Sequence, residues 1–179
     1  MLNWLSWKLN HNRTAVDIYG SIVAAARQKT FYDPWGVPDS REGRIEMVML
    51  HVALVMLRLG AIGPTAVALS RAVAEAFITD MDDNMREIGI GDLAVPRKIK
   101  RAAAALYDRH RDYGSALSAG DHTELADALR AAISSGSALP HLDCDALARY
   151  TERFATSLGS QTDAQCLAGQ LPPLQQPAP

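Results

Sequence analysis

The sequence predicts an all-α fold, a single compact domain of about six helices around a buried central helix over residues 41–59. Three observations predict it. Alanine is abundant while aromatic residues make up only 6% of the chain, a balance that favours helices over sheets of β-branched and aromatic residues. Apolar residues recur at three- and four-residue spacing. Proline and glycine mostly fall between these periodic stretches, where helices start and stop.

Taken in order, residues 1–13 read as an N-terminal arm, 14–158 as the helical domain and 159–179 as a Pro/Gln-rich tail without fixed structure. The first helix is expected from Thr14, with Asp17 in capping-box position and Val16, Tyr19, Val23 and Ala26 as its stripe. Phe31 to Pro38, with two prolines and a glycine, should break the helix, its three aromatics pinning the loop to the body. Ser40 or Asp39 caps the second, central helix, whose inner part is apolar on nearly every face until Gly60. Pro64 opens a third helix with the stripe Leu69, Val73, Phe77, Met81 and Met85, stopped at Gly89. Pro96 opens the fourth, ending near Gly120; Asp121 or Thr123 opens the fifth, closed by Gly136; Asp143 caps the sixth.

Composition narrows the function. A formal net charge of −2 excludes a globally basic nucleic-acid binder, and no DNA partner is expected. The N-terminus lacks an apolar secretory core, so Cys144 and Cys166 are expected as free thiols in a reducing compartment. The apolar run Met47–Leu57 is far shorter than the roughly 20 residues of a membrane span, which fits a core helix instead.

Few motifs carry chemistry. Gly89, Gly91 and Ala94 match a dinucleotide pattern but follow a helix, so a helix-to-helix turn is the better reading. Asp80, Asp82 and Asn84 alternate like a calcium loop, but Met85 stands where glycine is required and Gly91 where glutamate is. On a helix they are polar positions beside Met81 and Met85, with Asp82 able to pair with Arg86. His141 and Cys144 lack a second metal half-site. His51 interrupts the most apolar helix and needs partners for its polar nitrogens; such a residue is most often a satisfied core histidine, and otherwise a functional one. Arg97, Lys98, Lys100 and Arg101 form a basic cluster that reads as a solvated face or, alternatively, as a site for an anionic partner such as lipid headgroups, RNA or an acidic protein surface. Leu2, Trp4, Leu5, Trp7 and Leu9, with Lys8 and Arg13, read equally as an interfacial anchor or as a packed or frayed N-terminal arm.

Two blocks carry a resemblance. Phe31-Tyr32, Gly36-Val37-Pro38-Asp39, Gly43-Arg44-Ile45-Glu46-Met47 and Leu50-His51 form the first. Phe77, Asp80-Met81-Asp82, Asn84, Arg86-Glu87, Gly89, Gly91-Asp92-Leu93, Val95 and Lys98 form the second, followed by Tyr107 and Arg109. Together, over roughly residues 14–120, they resemble the ubiquinol–cytochrome c chaperone family, in its compact bacterial form. The resemblance implies a non-enzymatic helical assembly factor that binds newly made cytochrome b during biogenesis of ubiquinol–cytochrome c reductase. It implies a cytoplasmic protein working at the inner-membrane surface, with no cofactor, no metal and no small-molecule substrate. Arg44, His51, Asp80, Met81, Asp82, Asn84, Met85, Arg86, Lys98 and Arg101 are the candidate partner-binding residues, with the acids expected to rim an exposed Met81/Met85 strip. Two rival readings are a small helical enzyme built around His51, Arg44 and Asp80, and a peripheral membrane adaptor using the tryptophan-rich arm.

Overall fold

The computed structural model describes residues 3–134, 136 and 138–172, with the side chains of 3–12 left out of the description. Among the described residues there are eight α-helices and no strand: α1 (Asn3–Ala26), α2 (Lys29–Tyr32), α3 (Arg41–Ile62), α4 (Val67–Glu87), α5 (Val95–Ala119), α6 (His122–Ser134), α7 (Cys144–Gly159) and α8 (Asp163–Leu167). A 3₁₀ turn, Pro64–Ala66, leads into α4.

The central helix starts where predicted and runs past the expected end, through Gly60 to Ile62. The Ser40 hydroxyl accepts from the Gly43 amide at 3.1 Å, satisfying one of the free donors at the start of α3. Buried residues then follow almost without interruption from Met47 to Met56, because α1, α4, α5, α6 and α7 all pack against this one helix. Among the described residues, α3 is the one helix long and apolar enough to cross a membrane by length and composition. Its apolar surface is instead largely taken up by its neighbours.

Punctuation works elsewhere too. Asp143 caps α7 through the Ala146 amide (2.8 Å) and Asp121 accepts from the Glu124 amide (2.9 Å). Gly120 takes the left-handed conformation that ends α5. Phe31 and Trp35 are buried, and the Tyr32 hydroxyl donates to the Ala26 carbonyl at 2.6 Å, so the aromatic loop is pinned.

Three expectations need correction. The first helix starts at Asn3, not Thr14, since no proline or glycine interrupts residues 3–13; its buried face is Ala15, Ile18, Ile22 and Ala25, and Val16 is exposed. The aromatic loop contains a short helix, α2. The reading of 159–179 as structureless fails for its first part: α8 forms with a full capping box between Thr162 and Gln165, and Cys166 is buried. Residues 173–179 lie outside the described residues. Cys144 and Cys166 are both buried, free thiols.

Candidate functional site: an amphipathic groove between α1, α3 and α4

The second half of α1, the first turns of α3 and the last turns of α4 do not close on one another. Between them lies a groove of about 420 Å³. Its apolar lining comes from Val23 of α1, Ile45 and Val48 of α3, Met81 and Met85 of α4, and Ile90 of the turn that follows. Most of these side chains are half-buried, so the groove presents apolar surface to whatever enters it. The rim is polar: Arg27, Arg41, Glu42, Arg44, Asp80, Asn84 and Lys98.

Each polar group has a local setting. Arg44 Nε donates to Asp39 at 2.6 Å, and the Arg44 guanidinium lies over the Tyr32 ring, 5.7 Å from its centroid. The hydrogen bond from Arg44 holds the exposed Asp39 carboxyl below its ordinary range. Asp80 accepts from the Tyr19 hydroxyl at 2.7 Å, tying α4 to α1 beneath the rim, and from the Asn84 amide at 3.1 Å. Arg41 and Lys98 form no ion pair among the described residues, which leaves net positive charge on the α3–α5 side.

Of the candidate residues, Arg44, Asp80, Met81, Asn84, Met85 and Lys98 line this groove. The turn spacing of α4 explains the convergence, since residues 81, 84 and 85 face one way. Met81 is nearly buried at its floor, at 6% exposure, whereas Met85 is the more accessible of the two. Asp82 and Arg86 are not groove residues. They pair with each other at 2.6 Å on the outer side, and Arg86 also holds Asp92 at 2.9 Å. Arg101 is exposed on α5, away from the lining.

His51 is the satisfied core histidine, and its place among the partner-binding candidates is corrected: it has no exposed surface. Its Nδ1 donates to the Met47 carbonyl at 2.7 Å, so Nε2 accepts from the Tyr150 hydroxyl, also at 2.7 Å. Phe31 and Phe154 pack edge-on against the imidazole. Burial pushes its pKa down to about 4 despite the opposing Met47 bond. The imagined catalytic constellation of His51, Arg44 and Asp80 therefore does not assemble, because one member sits in the core with both nitrogens used.

The groove also holds residues that sequence reasoning missed. Ile45 and Val48 were legible only as one face of a helix apolar all round, and nothing marked which face stays open. Arg27, Arg41 and Tyr32 come from just past the end of α1, the first turn of α3 and the last residue of α2, and their meeting is set by tertiary packing alone. Among the described residues, no group of three His, Cys, Asp or Glu side chains is placed to hold a metal ion.

An apolar, methionine-bearing groove with a mixed-charge rim, on an all-helical body, is the kind of surface that can accept an apolar segment. The family model for the ubiquinol–cytochrome c chaperone matches residues 33–173. A solved structure, described as the Cbp3 homolog from Brucella abortus, superposes with a TM-score of 0.81 at 37% identity, covering 96% of this chain and 94% of that one. No curated protein matches significantly. The chain belongs to the ubiquinol–cytochrome c chaperone family.

Proposed function

We propose that this protein acts without catalysis, holding newly made cytochrome b at the cytoplasmic face of the inner membrane until ubiquinol–cytochrome c reductase can assemble. The groove is the client site in this reading. The observation that carries it is the meeting of Met81, Met85, Ile45 and Val48 in an open cleft, inside the segment matched by the chaperone family. A client membrane protein exposes apolar helices before it is assembled, and a cleft of flexible thioethers and aliphatic side chains can accept them in more than one register. The charged rim gives orientation and speeds encounter.

The test is a site-specific photocrosslinker at Met85, in cells making respiratory complexes, with Val67 as the control. Val67 is 53% exposed near the opposite end of the same helix. Cytochrome b as the dominant adduct from Met85, and not from Val67, is the expected result. A folded protein that yields no such adduct from Met85, Ile45 or Val48 removes the groove. Failure at exposed positions on every helix removes cytochrome b as the client.

A further inference from the structure

The turn between α4 and α5 presents a surface that the groove does not use. Leu93 is 99% exposed, and Ile88 at the other end of the same turn is 46% exposed. Stable packing gives no reason for an aliphatic side chain to stand wholly in water at the tip of a turn. The turn's one acid, Asp92, is occupied by Arg86 at 2.9 Å, so no free carboxylate stands beside Leu93.

The helix that follows adds charge. Arg97, Lys100 and Arg101 lie on the solvent side of α5, opposite the packed Ile99 and the buried Leu106, and none forms an ion pair among the described residues. Helical spacing places exposed Tyr107 (57%) on that same face, further along. These cations occupy the first two turns of α5, the positive end of the helix dipole, where they cost stability rather than add to it. The chain as a whole carries a formal net charge of −2, so the cluster is a local feature.

We propose that this face docks on a bilayer bearing anionic headgroups. Leu93 enters the acyl boundary, Arg97, Lys100 and Arg101 meet the headgroup charge, and Tyr107 lies at interfacial depth. The combination selects a bilayer over RNA. Nucleic acid would use the cations and an aromatic face, but it offers nothing to an extended aliphatic tip. Lys98, on the same helix, lines the groove, so the docking face and the groove share α5. The proposal does not depend on the identity of the client.

Flotation of the purified full-length protein with phosphatidylcholine vesicles, with and without phosphatidylglycerol, tests it in the absence of client. Binding is expected only with phosphatidylglycerol and should fall with salt. Arg97→Glu/Lys100→Glu/Arg101→Glu should weaken it by at least about tenfold, since each basic residue near such a surface contributes about a fivefold factor. Leu93→Asp should weaken it severalfold while leaving circular dichroism and melting unchanged. The matched triple reversal of Arg71, Arg130 and Arg153, exposed cations of α4, α6 and α7, should change binding less than twofold. Equal flotation of the Arg97/Lys100/Arg101 and the control variants would overturn the assignment, as would absence of flotation. Binding of single-stranded RNA in place of vesicles would also overturn it.

Discussion

The Tyr19 hydroxyl donates a 2.7 Å hydrogen bond to Asp80 Oδ2, linking two residues 61 positions apart across the α1–α4 interface. Tyr19 is 9% exposed and its pKa is raised, first by burial and then by the carboxylate it bonds. Asp80 is therefore part of the scaffold as well as of the groove rim. Charge reversal there is expected to destabilise, contrary to the picture of a purely solvated acid. Tyr19→Phe should cost about 1–2 kcal/mol, a little less than Asp80→Ala, which also frees the Asn84 amide. Urea titration measures both, and unchanged midpoints would mean the bond contributes nothing to α1 docking.

His51 makes acid stability a test of core chemistry. Its folded pKa of about 4 lies below the value near 6.5 of an unfolded histidine. Between those values the unfolded chain binds the extra proton, so stability is full above about pH 6.5 and falls as pH drops toward 4. The contribution reaches at most about 3 kcal/mol, and carboxylates elsewhere add their own slopes. His51→Gln should lower stability at pH 7 yet show a shallower loss from pH 7 to 4. Parallel pH profiles for the two proteins would mean that His51 is not neutral in the fold.

The elements were legible because their punctuation is local. Ser40, Asp121, Asp143 and Gly120 end or start helices through their own backbone neighbourhoods, and α3 announces itself by apolarity on all faces. The α4 side of the groove was partly legible for the same reason, since Asp80, Met81, Asn84 and Met85 fall on one face of a single helix. What stayed hidden depends on which face of α3 the other helices leave uncovered. Nothing in Ile45 or Val48 distinguishes an open position from a closed one. His51 misled for a related reason. A polar residue in an apolar run signals a constrained environment, and here the constraint is a partner 99 residues away, Tyr150, in the core.

Two glycines that support the family resemblance are held by close backbone approach. A Cβ on Gly43 would stand 2.1 Å from the Pro38 carbonyl oxygen, and one on Gly36, at φ +69°, would stand 2.2 Å from that of His141. Backbone atoms cannot step aside as a side-chain tip can, so Gly43→Ala should cost roughly 2–4 kcal/mol although it raises helix propensity. Gly20, inside α1 with nothing within 4 Å of a Cβ, is the contrast. Gly20→Ala should stabilise by about 0.5–1 kcal/mol. Thermal melts of the two variants are expected to shift in opposite directions, and a shared sign would refute the contact argument.

Arg58 holds α8 to the body by itself reaching three acceptors. Nε donates to the Leu158 carbonyl at 3.0 Å, and Nη2 donates to the Gln161 carbonyl and to Asp163, both at 2.7 Å. The side chain is only 13% exposed, so these bonds are partly shielded from water. A lysine ammonium is a single point donor and cannot span acceptors that lie along the α7–α8 connection. Arg58→Ala and Arg58→Lys should therefore both loosen α8, with a cost of about 1.5–3 kcal/mol for the alanine variant. The readout is thiol chemistry. Cys166 sits in α8 at 6% exposure, its pKa raised by burial, and it should become reactive toward a disulfide reagent in both variants. Cys144, 1% exposed at the start of α7, should stay protected and report that the core is intact. If Cys166 stays as slow as Cys144 in the alanine variant, the packing of Cys166 and its neighbours, rather than Arg58, holds α8 in place.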